Sequence, residues 1–193
     1  MSLLGVEPVE INAGEFYLRA LRSDDRIEDA FAIAEAFADP ETQRWLPSFG
    51  IDSPEAARAY IGFRGRQWER DVAFSWAICD AVTAELLGDV TLRDVYARDG
   101  LAEVTLWTHP RHRGRGVAVT ALNAVLPWAF QAAELHRVTY RCGVNNKPSQ
   151  RVAEKCGFTL EGRLREEKII DDQREDMLLW SRLATDPTPE QLR

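Results

Sequence analysis

Residues 101–133 read LAEVTLWTHPRHRGRGVAVTALNAVLPWAFQAA, and two periodicities meet inside them. Leu101–Thr108 is a β run, and His109-Pro110 ends it because proline has no N–H to give to a strand ladder. Further on the spacing becomes helical. Val117, Ala121, Ala124, Val125, Trp128 and Ala132 fall on one side of a helix reaching about Ala133. Pro127 lies within that stretch and predicts a kink, costing about 3 kcal/mol where packing does not compensate. Between strand and helix stands Arg111-His112-Arg113-Gly114-Arg115-Gly116. A helix start leaves backbone N–H groups free and carries partial positive charge, so it suits a phosphate. Gly114 and Gly116 let the backbone approach an anion closely, and Arg111, Arg113 and Arg115 surround it with positive charge. A P-loop would need a Gly-Lys-Ser/Thr ending, which is absent, and a dinucleotide fingerprint would need glycine where Val119 stands. A plain strand-to-helix turn remains open for this loop by itself.

Working outward, Glu15–Ala20 alternates as a strand. Ser23 or Asp24 can cap a helix bearing Ile27, Ala30, Phe31, Ala34 and Phe37, closed by Pro40. Trp45-Leu46-Pro47 enters a loop ending near Gly50, and Ser53-Pro54 opens a second helix carrying Ala57, Tyr60, Ile61 and Trp68. Ala73–Cys79 and Leu86–Val95 form a hairpin across the polar break 80–85. Downstream, Arg137–Cys142 is a strand and Pro148–Lys155 a helix ended by Gly157. Phe158–Ile170 and Arg174–Ser181 close the chain around an Asp171-Asp172 turn. The expectation is one mixed α/β domain over residues 1–184, with hairpins early, helix crossovers late, and a polar tail over 185–193.

Composition narrows the function. The 193 residues suffice for one sizeable core, and 45% apolar with 28% charged residues is an ordinary globular mixture. No apolar run reaches membrane-spanning length, so a soluble cytoplasmic protein with no membrane partner is expected. The net charge of −7 argues against nucleic-acid binding, even through Arg111–Arg115, Arg93 and Arg98. Cys79, Cys142 and Cys156 imply no disulfide framework and read as small buried hydrophobes. His109, His112 and His136 share no ligand spacing, so no metal is expected.

A second segment gives the loop its meaning. Asn146-Lys147-Pro148-Ser149 opens a helix that closes in Lys155-Cys156-Gly157-Phe158, with Glu161-Gly162 following. Together with Arg111-x-x-Gly114-x-Gly116, this resembles the GNAT acetyltransferases, and within them the Rim-type branch of ribosomal-protein N-terminal acetyltransferases. Leu18-Arg19-Ala20-Leu21 and Trp45-Leu46-Pro47 extend the resemblance over nearly the whole chain. It implies a GNAT-like fold: a central, mostly antiparallel twisted sheet of about seven strands, helices on both faces, and two strands splayed to hold acyl-CoA. It also implies acetyl-CoA as the acyl donor. Leu106, Trp107 and Thr108 would pair their backbone with the pantetheine arm. Gly114, Arg115, Gly116 and Val117 would take the pyrophosphate by backbone N–H, with Arg111 and Arg113 adding charge. Asn146 would hold the arm, and Ser149 would sit near the sulfur. Local preference also makes Asn146 and Ser149 a helix cap and turn, and both roles are compatible.

The reaction so implied is attack of a neutral amine on a thioester, which needs proximity, an oxyanion donor, a base and a proton for the leaving thiolate. Glu103 resembles the strand glutamate that serves as base in related enzymes, while an ion-pair role stays equally open. The glutamate used after Gly-Phe in some Rim-type enzymes corresponds here to Lys168. That is a departure, and Glu167 beside it should face the other way. Ser149 is the expected proton donor to sulfur, because the last tyrosine, Tyr140, lies outside the second motif. Trp45, Phe49 and Trp68 would line the acceptor pocket or else belong to the core. The expected acceptor is a protein N-terminal α-amine, a ribosomal protein among the candidates, handled by a monomer or homodimer. The alternatives are a small amine such as a polyamine or aminoglycoside, an acyl group larger than acetyl, and a non-catalytic acyl-CoA sensor. Overall acidity would steer a basic acceptor.

Overall fold

Strand β5, Leu101–Thr108, lies inside an eight-stranded sheet of order β1-β2-β3-β4-β5-β6-β8-β7. The computed structural model describes residues 8–46 and 50–187. The other strands are β1 Ile11–Ala13, β2 Phe16–Arg19, β3 Ala73–Asp80, β4 Leu86–Tyr96, β6 Arg137–Gly143, β7 Thr159–Ile170 and β8 Gln173–Leu183. The helices are α1 Ala30–Ala38, α2 Pro40–Trp45, α3 Pro54–Glu69, α4 Val117–Gln131 and α5 Lys147–Lys155. Of all the neighbouring pairs only β5–β6 is parallel, and α4 is the crossover that a parallel pair requires.

Two apolar layers cover the sheet. On one face α4 buries Val117, Ala121, Leu122, Val125, Leu126 and Ala129 against Val90, Leu92, Val104 and Val138. Pro127 points to solvent and α4 continues through it, the buried residues on either side offsetting the lost hydrogen bond. On the other face α1 and α3 pack Ile33, Phe37, Ala57 and Ile61 around Trp107. Trp68 belongs to the first layer, in edge-on contact with Phe74 and Trp76 at ring-centroid distances of 5.1 and 4.8 Å. It is therefore a core aromatic and not part of an acceptor pocket.

Three local expectations change. Helix α1 starts at Ala30, not after Ser23 or Asp24. The Asp24 carboxylate accepts from the N–H groups of Arg26 and Ile27, which closes a turn, and Asp29 is engaged by the Arg19 guanidinium at 2.7 and 2.8 Å. Pro40 follows the end of α1 at Ala38, as expected, and also opens a short helix α2 that was not expected, with Asp39 as the cap accepting from Thr42 N at 2.9 Å. The short edge strand β1, hinged at Gly14 (φ 75°), adds an eighth strand to the seven expected. The Asp171-Asp172 turn holds, with both residues at positive φ as a tight hairpin requires.

Asp89 of β4 is the most deeply buried carboxyl described, with Thr91 Oγ1 2.9 Å from its Oδ1. Burial pushes its pKa up to about 6, against the pull of Arg64 and the Thr91 hydroxyl. The unfolded chain would ionise this group near the ordinary aspartate value of about 3.9, so folding favours its neutral form. Its contribution is thus full below about pH 4 and is lost as the pH rises to about 6. Asp89→Asn is expected to be more stable than the parent at pH 8 by about 2 kcal/mol, with the advantage gone at pH 4. Urea unfolding at the two pH values checks this, and a variant weaker than the parent at pH 8 contradicts it.

Candidate active site

β5 and β6 begin together and then part. They pair from Leu101↔Arg137 to Val104↔Tyr140 and no further. Beyond that point Thr105–Thr108 stay with β4, up to Thr108↔Gly88, while Arg141–Gly143 stay with β8. The ladder positions of Thr105–Thr108 facing β6 therefore have no strand partner, although they lie in the middle of a sheet. Backbone groups so placed require a hydrogen-bonding partner from elsewhere. The wedge opens into a cavity of about 850 Å³. At its edge Gly143 admits the Trp45 ring, since a Cβ there would lie 2.6 Å from Trp45 Cζ3.

The charged loop closes one end. Its first part is a single 3-10 turn, Pro110–His112, after which Gly114 (φ 78°) and Gly116 (φ 80°) take left-handed conformations. Gly116 is the N-cap of α4, and no side chain caps the first-turn N–H groups. Gly116, Val117, Ala118 and Val119 line the cavity there, so free donors and the helix dipole face it together.

The three arginines are placed differently from the expectation. Arg111 reaches Glu35 of α1 at 2.7 Å, and Arg113 reaches Asp39 at 2.5 Å and Glu41 at 3.1 Å on α2. Arg115 Nη1 lies 3.0 Å from His112 Nδ1. Among the three only Arg113 lines the cavity. Arg111 and Arg113 thus tie α1 and α2 to the loop, where carboxylates on those helices meet them. Burial works against the Asp39 charge, yet Arg113 and Thr42 hold its carboxyl below the usual range.

At the fork the structure joins two residues that are far apart in motif terms. Tyr140, the last β6 residue paired with β5, places its hydroxyl 2.7 Å from Ser149 Oγ. Asn146 Oδ1 accepts from Ser149 N at 3.1 Å, so the local cap exists, and Asn146, Ser149 and Tyr140 all line the cavity. Burial pushes the Tyr140 hydroxyl well above its ordinary value, outweighing its bond to Ser149, so it keeps its proton at neutral pH. Distance from the second motif had set Tyr140 aside. The signal that could have found it is strand parity: Val138, Tyr140 and Cys142 alternate onto the α4 and α5 face.

The opposite wall is charged. Glu103 is buried, with one oxygen on Arg93 and the other 3.1 Å from Arg141 Nε, and Arg141 continues to Glu167 at 2.8 Å. Glu103 lines the cavity as an ion-pair centre. Lys168 lines it too, its Nζ donating to Trp45 O at 3.3 Å. Burial and then the neighbouring Arg93 lower its pKa, against the pull of Glu103 and Glu167. Glu167 was expected to face away. A register shift between Leu164 and Lys168, with Glu166 at φ 52°, breaks the alternation and brings both residues to the cavity. Trp45 lines the cavity as well, while Phe49 lies outside the described residues.

Residues 15–159 match the acetyltransferase (GNAT) domain family, and the chain belongs to that family. Among its relatives is a ribosomal-protein-serine acetyltransferase of Escherichia coli, 32% identical over 99 residues, 51% of this chain and 55% of that protein. A spermidine N(1)-acetyltransferase of Vibrio cholerae is 33% identical over 92 residues, 48% of this chain and 53% of that protein. These matches span about half the length of both relatives. The fold extends further: RimJ of Mycobacterium smegmatis, solved in complex with CoA-disulfide, superposes with a TM-score of 0.80 at 23% identity, covering 95% of this chain and 90% of that one. Among the described residues no helix is long and apolar enough to cross a membrane.

Gly116→Val is expected to weaken acetyl-CoA binding by tenfold or more, about 1.4 kcal/mol, because a β-branched residue resists positive φ and the first-turn donors would turn away. Calorimetric titration with acetyl-CoA measures this, and undiminished affinity in a folded variant would remove the loop from the binding site.

Proposed function

We propose that the protein transfers the acetyl group of acetyl-CoA to the α-amine of a peptide N-terminus. The observation that carries the reading is the parted β5–β6 pair, which leaves unpartnered ladder groups between an uncapped helix start and the Tyr140–Ser149 pair. In this reading the backbone at Leu106, Trp107 and Thr108 takes the amides of the pantetheine arm. The N–H groups from Gly114 to Val117 take the pyrophosphate, and Asn146 borders the arm.

Chemistry then falls at the fork. The amine nitrogen attacks the thioester carbonyl carbon, the C–N bond forms, and the oxyanion collapses with cleavage of C–S. Tyr140 is protonated at neutral pH and touches Ser149, so a proton can pass from this hydroxyl pair to the departing thiolate. The proton lost by the amine goes to water. Both oxygens of Glu103 are engaged by arginines, and Lys168 stands where the family resemblance places the glutamate that some Rim-type enzymes use instead. Such a site suits an acceptor that needs little help from a base. An α-amine, with a pKa near 7.7–8.0, is substantially neutral at pH 7.5, whereas a lysine-like amine near 10.4 is almost wholly protonated. This favours a peptide N-terminus over a polyamine.

Tyr140→Phe is expected to lower kcat about 10- to 100-fold with the KM for acetyl-CoA little changed, and Ser149→Ala to act in the same direction. Thiol release from acetyl-CoA, followed across N-terminal peptides, spermidine and an aminoglycoside, tests the acceptor. Faster turnover of spermidine than of every peptide would overturn the α-amine reading, and acetyl-CoA binding without turnover on the panel would make the protein a sensor.

A further inference from the structure

An alternating row of charge crosses the sheet on the α1–α3 side of the cavity. Arg93 of β4 pairs with Glu103 of β5, Glu103 with Arg141 of β6, and Arg141 with Glu167 of β7. Each carboxylate in the row is matched by guanidinium. Lys168 is the cation left over. The residue is half-buried and lines the cavity with Trp45, and among the described residues its hydrogen bond goes to the Trp45 carbonyl at 3.3 Å. No carboxylate among the described residues lies within ion-pairing distance of it.

Arg93 is shared between Glu103 and Asp94, Arg141 between Glu103 and Glu167, and Glu175, across the ladder from Lys168, is engaged by Arg44. Lys168 is thus a cavity-lining cation without an ion-pair partner among the described residues, in a chain whose overall charge is −7. Long-range steering by the whole surface falls off within a Debye length of about 8 Å at physiological salt, while a half-buried charge acts on whatever enters the cavity. A cation removed from water without a partner is costly, and a ligand that brings an anion relieves the cost. A polycationic acceptor does the reverse, placing like charges together.

We infer that Lys168 is a specificity residue that reads an anionic group on the acceptor, so that the preferred substrate is a peptide whose first residues after the reacting amine include Asp or Glu. The inference rests on the α-amine reading above and narrows it. Lys168 holds the acidic side chain, the Trp45 carbonyl orients the ammonium, and the Arg93–Glu103–Arg141–Glu167 row keeps the neighbouring charges occupied. Repulsion from the same ammonium disfavours peptides with Lys or Arg at those positions.

Three peptides differing only at positions two and three, both Asp, both Asn or both Lys, provide the test with the full chain and acetyl-CoA. The parent enzyme is expected to favour the Asp peptide over the Lys peptide by about tenfold in kcat/KM, a size typical of one partly desolvated charge contact. Lys168→Met should level the series and Lys168→Glu should invert it. Calorimetric affinity for acetyl-CoA, unchanged in both variants, reports that the fold and donor site are intact. A parent preference for the Lys peptide, or an identical ranking after Lys168→Glu, overturns the inference while leaving N-terminal acetylation standing. Turnover of spermidine with none of the three peptides acetylated overturns the α-amine reading and this inference together.

Discussion

The structure depends on one interrupted hydrogen-bond ladder. Among the described residues β5 and β6 are the only parallel neighbours, joined over four residue pairs from Leu101↔Arg137 to Val104↔Tyr140 and then released. A sheet interior does not tolerate unpartnered backbone groups, so the wedge has to be filled by something that itself donates and accepts in an extended line. Every other feature of the site is arranged around that gap. β4 and β8 hold the outer sides of the two strands, α4 closes the bottom with its free N–H groups, and α5 lays Asn146 and Ser149 along one edge.

Charge organises the surroundings on both sides of the gap. Arg111 and Arg113 join the loop before α4 to α1 and α2, fixing the short helices that carry Thr42 and Trp45 to the cavity. Exposed ion pairs of this kind contribute little stability singly. Their effect here is geometric, because they couple the loop before α4 to α1 and α2. Across the sheet, the row from Arg93 to Glu167 leaves neither carboxylate free for proton removal. In the reaction proposed above, the weight of catalysis then falls on proximity and on the Tyr140–Ser149 hydroxyl pair, with an acceptor that is already partly neutral at working pH.

Much of the fold was legible in local periodicity. The β3–β4 hairpin, β5, α4, β6, α5 and the β7–β8 hairpin follow from alternation, helical spacing and turn residues, and these signals are short-range. The misreadings share one cause. Ser23 and Asp24 carry a cap signal, but the Arg26 and Ile27 N–H groups claimed Asp24 for a local turn, and α1 begins only after Asp29, whose carboxylate the Arg19 guanidinium engages. The orientation of Glu167 went wrong similarly, because strand parity holds only while the register does.

The sequence by itself determined the left-handed glycine loop before α4 and the cap of α5. Positive φ at Gly114 and Gly116, and the Asn146 bond to Ser149, depend on neighbouring residues alone. It also determined the family, through two motifs whose order along the chain is maintained. Tertiary structure decided which of the marked side chains meet. It drew Arg111 and Arg113 to Glu35 and Asp39, placed Trp68 in the core, seated Tyr140 against Ser149, and turned Lys168 into the cavity. The physical reason is that a backbone conformation is set within a few bonds, whereas a side chain's charge or proton finds its partner across strands whose alignment no local pattern encodes.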